Sequence, residues 1–415
     1  MYKVCKIRIY PNQTQKRCIT ETLGACRYVY NLYLEYNRRQ YEENKEFLSG
    51  YDFAKILTKI KKNEERYEWL RGISIKALKD AIMTAEKAYK AFFKKKRGRP
   101  PRFRSRKDPF QSFYIIRDNM HFYPNTPEKK NIIKLPILGY IRITEKSYLP
   151  YKCQVISGRV IHRNGKYYVS FIYETDGTIL EKEEVPGIGI DDGIKEYASV
   201  YQEDGTGFPI HPFLNNKPYQ KINEKIKYYQ RLISKKAEIN YGYRLCKYLD
   251  AHKEEPSESY KNTMKGESYN TSNIKRLRRK ISKLYEKRTN YAKNKINNLV
   301  IRLVRVKPEY IAIENLSIRS MLENMGTHDL HNLISQSMFG YFKNRMVDVC
   351  HYYDIELRFP KDPYFASSKI CCKCGTKKDL TLSDRVYVCD TCGLVINRDY
   401  NAAVNLCFME DYIIA

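Results

Sequence analysis

The chain has 415 residues, 76 of them Lys or Arg and 47 Asp or Glu, a formal net charge of +29 at pH 7. An excess of this size calls for a polyanionic partner, and a hydrophobic content of 42% excludes a disordered basic tail. No apolar run approaches the roughly 20 residues of a membrane span, and Met1 to Arg17 lacks the apolar centre of a signal peptide, so the expectation is a cytoplasmic protein with no membrane partner, whose 12 Cys are thiols or metal ligands.

In chain order, residues 3–10 alternate apolar and polar and predict a strand, ended by Pro11 and Asn12. Residues 14–93 predict helices. Phe53, Ile56, Leu57 and Ile60 recur at helical spacing, as do Ile75, Leu78, Ile82, Ala85, Tyr89 and Phe92. The single Trp, Trp69, is expected in the core.

Nine of the fourteen residues 94–107 are Lys or Arg, and Gly98, Pro100 and Pro101 interrupt regular structure. Phe103, Phe110, Phe113 and Tyr114 interleave with this charge. Rings beside cations suit contact with nucleic acid better than a free linker. Lys94, Lys95, Lys96, Arg97, Arg99, Arg102, Arg104 and Arg106 are therefore nucleic-acid candidates. Most of the 38 Tyr need no such explanation, because Lys, Asn and Ile are enriched with them.

Residues 112–175 return to period-two alternation, with an Asn164-Gly165 hairpin of type I′. They predict a small β-barrel that takes residues 3–10 as its first strand and has the helical block inserted. Residues 178–186 read as a linker and a new unit begins at Gly187. Residues 215–305 are polar and helical. Within them, 275–288 holds eight Lys or Arg and one acid, which nominates Lys275, Arg276, Arg278 and Arg279 for phosphate contact.

Three acids stand out by context. Asp191 ends the small, apolar stretch Gly187-Ile-Gly-Ile-Asp; Glu314 ends Tyr310-Ile-Ala-Ile-Glu; Asp399 precedes a helix starting near Asn401. Singly, each reads as a cap, a turn or a surface residue. Together, at strand or helix ends in a basic chain, they suit Mg²⁺, which takes oxygen ligands, and a pair of such ions serves phosphodiester hydrolysis. Gly187-Ile-Gly lacks the third glycine of a dinucleotide fingerprint. His328 and His331 form no catalytic cluster.

Cys371-Cys-Lys-Cys374-Gly and Cys389-Asp-Thr-Cys392-Gly form paired CxxC knuckles with 14 residues between. Four thiolates at this spacing predict a structural Zn²⁺ site, inserted between the second and third acids. Spacing favours Cys371 over Cys372. Cys5, Cys18, Cys26, Cys153, Cys246, Cys350 and Cys407 are expected as core thiols.

With these motifs in hand, the chain resembles the transposon-encoded TnpB family and the related miniature type V-F CRISPR effectors. The resemblance runs over nearly the whole length. It rests on Lys6-Ile-Arg-Ile-Tyr-Pro-Asn, Arg102-Phe-Arg-Ser-Arg, Gln111-Ser-Phe, Gly189-Ile-Asp-Asp-Gly-Ile-Lys, Ile313-Glu-Asn-Leu, the four-Cys ribbon and Arg398-Asp-Tyr-Asn-Ala-Ala-Val-Asn. It implies a multidomain α+β fold. A β-barrel wedge domain (1–12 and 112–180) would carry an inserted helical recognition lobe (13–111). An RNase H-like RuvC nuclease domain (181–368 and 394–415) would carry an inserted zinc ribbon (369–393). It implies Asp191, Glu314 and Asp399 as Mg²⁺ ligands, Cys371, Cys374, Cys389 and Cys392 as Zn²⁺ ligands, a guide RNA, a double-stranded DNA target and two protein copies on one guide. Asp192, Asn397 and Ala366-Ser-Ser depart from the family pattern. The absence of a long basic tail after the third motif favours a CRISPR effector over a transposon-encoded nuclease. The competing readings are a TnpB-type nuclease, a guided repressor without cleavage and an unguided zinc-ribbon DNA-binding protein.

Overall fold

A computed structural model describes residues 2–94, 98–116, 121–123, 131–144, 154–174, 187–194, 196–316, 321–323, 328–362, 365–381 and 384–415. Lys95, Lys96, Arg97, Cys153 and the 178–186 linker lie outside the described residues. The chain divides into two compact units, Met1–Asp176 and Gly177–Ala415.

The first unit opens with β1 (Tyr2–Tyr10), followed by α1 (Gln13–Asn44), α2 (Gly50–Asn63), a 3-10 helix (Glu65–Leu70) and α3 (Ile75–Phe93). Six strands complete it: β2 (Phe110–Ile116), β3 (His121–Tyr123), β4 (Ile132–Leu135), β5 (Gly139–Ile143), β6 (Gln154–Arg163) and β7 (Lys166–Glu174). They form an antiparallel seven-stranded sheet of order β2-β6-β7-β1-β5-β4-β3. No pairing joins its two end strands among the described residues. β1 lies between β5 and β7, so the helices α1–α3 are inserted between two sequence-distant parts of one sheet. Alternation buries Cys5, Ile7 and Ile9 on one face. The β6–β7 hairpin turns at Asn164 and Gly165, both with positive φ (51° and 78°), as a type I′ turn requires.

Helix α1 starts at a capping box in which the Asn12 side chain accepts from Gln15 N (2.8 Å) and the Gln15 side chain accepts from Asn12 N (2.9 Å). Gln15 Nε2 also donates to the carbonyls of Leu138 and Tyr140, which anchors the helix start to the sheet. The expected core position of Trp69 is not met. It sits on a six-residue 3-10 helix, is half exposed, and meets Tyr28 edge-on at 5.3 Å.

The second unit contains β8 (Ile188–Asp192), β9 (Ala198–Gln202), β10 (Gly207–Ile210), the long helices α4 (Lys217–His252) and α6 (Ser272–Arg305) with α5 (Glu258–Ser268) between them, and β11 (Tyr310–Ile313). It continues with α7 (His328–Ser337), α8 (Phe339–Tyr353), β12 (Glu356–Pro360), the small hairpin β13 (Val386–Val388) and β14 (Val395–Asn397), α9 (Arg398–Cys407) and β15 (Tyr412–Ile414). The main sheet has the order β10-β9-β8-β11-β12-β15; β8, β11 and β12 are parallel and the outer pairs antiparallel.

Both faces of this sheet are covered, which is why its central strands read as continuous apolar runs. Ile311 and Ile313 pack with Ile296, Val300, Phe342 and Met346 of α6 and α8. Tyr310 and Ala312, one residue out of phase, pack with Leu406 and Cys407 of α9 on the other face. Gly189 sets how closely α9 approaches: a Cβ there would stand 1.9 Å from the Ala403 carbonyl oxygen and 2.7 Å from Cys407 N. Both obstacles are backbone, so an alanine forces the helix away. Gly189→Ala is expected to destabilise the second unit by about 1–3 kcal/mol, read as a lower urea midpoint.

Candidate catalytic and metal centres

The parallel register explains how residues more than a hundred positions apart meet. Ile313 of β11 pairs with Ile190 of β8, so the next residue on each strand, Glu314 and Asp191, emerge side by side at the carboxyl end of the sheet. Their side chains hydrogen-bond to one another, and both also feel the charge of Asp399. Asp399 arrives from the first turn of α9, beyond the close contact at Gly189. The three acids nominated from sequence are therefore brought together.

Burial raises the Asp191 carboxyl well above the usual carboxylate range, and the neighbouring charges of Glu314, Asp399 and Asp192 raise it further. Burial also raises Glu314, against the pull of hydrogen bonds from Ser367 and Asp191. Two carboxyl groups in direct contact in a low-dielectric site cannot both stay ionised without compensation; either a proton or a cation supplies it. An all-oxygen donor set at the carboxyl end of a sheet's central strands fits a hard divalent cation. Asp192 is raised too, by burial first and then by Glu314, while Lys343 opposes the shift; its Oδ1 is buried and without a hydrogen-bond partner.

The surroundings hold each acid in place. Ser367 Oγ donates to Glu314 Oε1 at 2.8 Å. Asn397 is the N-cap of α9, its side chain accepting from Asp399 N (2.9 Å) and Tyr400 N (3.1 Å). Arg398 pairs with Asp399 Oδ1 at 3.2 Å, and Arg385 lies 3.8 Å from Oδ2. Ser367, Arg385 and the buried Asn401 are not among the site residues nominated from the sequence. Asn401 accepts from Cys372 N (3.0 Å) and donates to the Ile370 carbonyl (2.7 Å), and Asn405, one helical turn on, donates to the carbonyls of Ser367 and Ile370. An Asn pair at i and i+4, Asn401 and Asn405, flanking the apolar Ala402-Ala-Val, was the available signal.

The four sulfurs of Cys371, Cys374, Cys389 and Cys392 all lie within 4.8 Å of one another. The closest pairs are Cys371–Cys392 at 3.6 Å and Cys374–Cys389 at 3.5 Å. Each knuckle closes through a positive-φ glycine, Gly375 (76°) and Gly393 (70°), whose N–H donates to the carbonyl of Cys371 and Cys389 respectively. This arrangement matches a closed tetrahedral S₄ site able to hold Zn²⁺. Cys372 points elsewhere, and its backbone is engaged by Asn401. Of the Cys expected in the core, Cys5, Cys26, Cys350 and Cys407 are buried and Cys18 half-buried, but Cys246 is exposed on the outer face of α4.

Among the basic candidates, Arg99, Arg102 and Arg106 are exposed, as is Lys94 at the end of α3. Arg104 instead stacks on Tyr30 at 3.8 Å, and its backbone exchanges hydrogen bonds with the Asn31 side chain, so it pins the basic loop to α1. On α6, Arg276, Arg278 and Arg279 face solvent and Lys275 is half-buried, while Ile274, Leu277 and Ile281 pack inward. No helix among the described residues is long and apolar enough to cross a membrane.

Residues 339–406 match the Cas12f1-like TNB domain family, and residues 1–46 match the helix-turn-helix domain of the IS605 OrfB family. In this chain the latter segment is β1 followed by the single long helix α1. Two proteins named "Putative RNA-guided DNA endonuclease" align with 97% of the chain. One, from Streptomyces pristinaespiralis, is 28% identical over 87% of its own length; InsQ of Escherichia coli strain K12 is 24% identical over 90%. A Cas12f1 chain solved with sgRNA and target DNA aligns with 98% of this chain and 99% of its own at 15% identity, with a TM-score of 0.35. The domain matches and the near full-length relatives support a miniature TnpB-like type V nuclease.

The sulfur geometry predicts a definite metal content. Elemental analysis of the purified chain is expected to find about one Zn²⁺ per chain, and Cys389→Ser to lower it; an unchanged content would remove the ribbon assignment.

Proposed function

We propose that the chain is an RNA-guided DNA endonuclease of a miniature CRISPR system. The observation that carries the reading is the convergence of Asp191, Glu314 and Asp399 from two parallel strands and a helix start, in a chain of net charge +29. The order of the second unit's sheet supports an RNase H-like, RuvC-type reading. The sheet of the first unit, with α1–α3 inserted, supports a wedge domain with a recognition lobe.

In this reading Asp191, Glu314 and Asp399 hold two Mg²⁺. When bound, such ions supply Lewis-acid stabilisation to the attacking and leaving oxygens of a phosphodiester. The chain's own part is orientation. Ser367 fixes the Glu314 carboxyl through one hydrogen bond, and the Asn397 cap with Arg398 and Arg385 fixes that of Asp399. Asn401 and Asn405 tie the zinc ribbon to the helix that carries Asp399, which keeps the ribbon beside the site.

Guide RNA would occupy the basic surfaces, including Arg99, Arg102, Arg106, Arg276, Arg278 and Arg279. Base pairing would read the target next to a short duplex motif read by the protein. Two copies on one guide is the assembly proposed. A transposon-encoded TnpB-type nuclease would use the same site and differs in its genetic setting, a repeat–spacer array against a transposon end.

With its co-purified RNA and a guide-matched duplex, the wild-type chain is expected to cut DNA only when Mg²⁺ is present. Asp191→Ala is expected to lower cutting by at least about 10³-fold with DNA binding retained. Wild-type binding to matched DNA without cuts would replace the nuclease reading with that of a guided repressor.

A further inference from the structure

The first unit carries a groove that no motif marks. It lies between one face of α2 and one face of α3 and encloses about 430 Å³, within the range of small-ligand sites. Its floor is apolar, formed by Ala54, Leu57, Leu78 and Ile82. Its rim is cationic: five Lys or Arg side chains line it and no acid does.

The rim charges are arranged against their own repulsion. Lys55 from α2 and Lys79 from α3 both approach the ring of Tyr51, at 4.6 and 4.9 Å from its centroid. Two of the rim cations pair with acids that do not themselves line the groove: Lys55 with Asp52 at 3.2 Å, and Arg71 with Glu68 at 3.0 Å. Arg71 also donates to the carbonyls of Lys61 and Lys62 and so closes the end of α2. Burial lowers the Lys61 ammonium from its ordinary range, with no acid opposing the shift. An apolar slot ringed by cations, with Tyr51 exposed at its mouth, complements a flat apolar ring attached to an anionic backbone.

We infer that the α2–α3 groove takes one unpaired nucleotide of a bound RNA strand, its base against the exposed Ile75 and Tyr51 side chains above the Leu57–Leu78–Ile82 floor and its flanking phosphates on Lys61 and Lys79. This rests on the reading that RNA is the chain's polyanionic partner, and not on DNA cleavage.

The test uses the full-length chain and a fluorescein-labelled single-stranded RNA of mixed sequence, with anisotropy titrations over a range of salt. Two variants separate charge from cavity. The double variant Lys61→Gln, Lys79→Gln is expected to bind about tenfold more weakly, with a log–log salt slope smaller by about 1.4, since each single-strand phosphate contact accounts for about 0.7. Thr58→Trp, at an exposed position of the groove wall, fills the slot and keeps every charge; it is expected to bind several-fold more weakly with the slope unchanged. Circular dichroism and unfolding midpoints equal to wild type establish that both variants fold. Unchanged binding in both variants overturns the inference. Weaker binding in the lysine variant with unchanged binding in Thr58→Trp overturns it too, because that is the behaviour of a phosphate-contacting surface without a base slot. If wild type binds no RNA, the partner reading itself fails, whereas a chain that binds RNA as described but cuts no DNA leaves the groove assignment standing.

Discussion

The second unit is organised around a repulsion. Its sheet brings Asp191 and Glu314 from adjacent parallel strands into hydrogen-bond contact, and α9 brings Asp399 near enough for its charge to act on both. Like charges so placed, out of water, are costly at neutral pH unless something positive joins them. A fold optimised for stability alone would separate them or replace one by an amide. The register forbids the first, because moving Glu314 away from Asp191 requires slipping β11 along β8 and turning its buried Ile311 and Ile313 out of the core.

The rest of the unit serves this juxtaposition. Gly189 removes the one side chain that would hold α9 off the sheet. Asn397 caps the helix at the residue pair that includes Asp399. Ser367 reaches Glu314 from the segment leading into the ribbon, and Asn401 and Asn405 fasten that segment to α9. The Cys₄ knuckles are thus tied to the helix that carries one of the three carboxylates: a displacement of the ribbon pulls on Asn401, two residues beyond Asp399. Asp192, one residue out of phase with Asp191, faces the opposite layer, where Lys343 of α8 offsets its charge.

Much of this was legible in the sequence because it rests on short-range pattern. Alternation marks β1 and the Asn164-Gly165 turn, and buried apolar runs ending in an acid mark β8 and β11. The spacing of the cysteines marks the S₄ cluster. What was not legible depends on residues distant in sequence. Ser367 meets a glutamate 53 positions away, and nothing local distinguishes it from Ser368. Arg104 reads as one more cation in a basic run until Tyr30 and Asn31 are seen beneath it. Trp69 misled because size predicts burial on average, and here a short 3-10 helix leaves half the indole in water. The α2–α3 groove combines two helix faces, and neither alone differs from an ordinary amphipathic surface.

The central claim is that the carboxylate cluster is built around a divalent cation, and stability against pH tests it most directly. Without the cation, Asp191 and Glu314 bind protons more tightly in the folded chain than in the unfolded one, so their contribution to stability is greatest in acid and falls as pH rises through their raised values. Urea unfolding of the second unit's transition, followed across this range in chelator and in Mg²⁺, is predicted to show that decline in chelator, a much flatter profile in Mg²⁺, and a loss of the difference in Asp191→Asn. Profiles in chelator and in Mg²⁺ that superimpose for the wild-type chain would contradict the account.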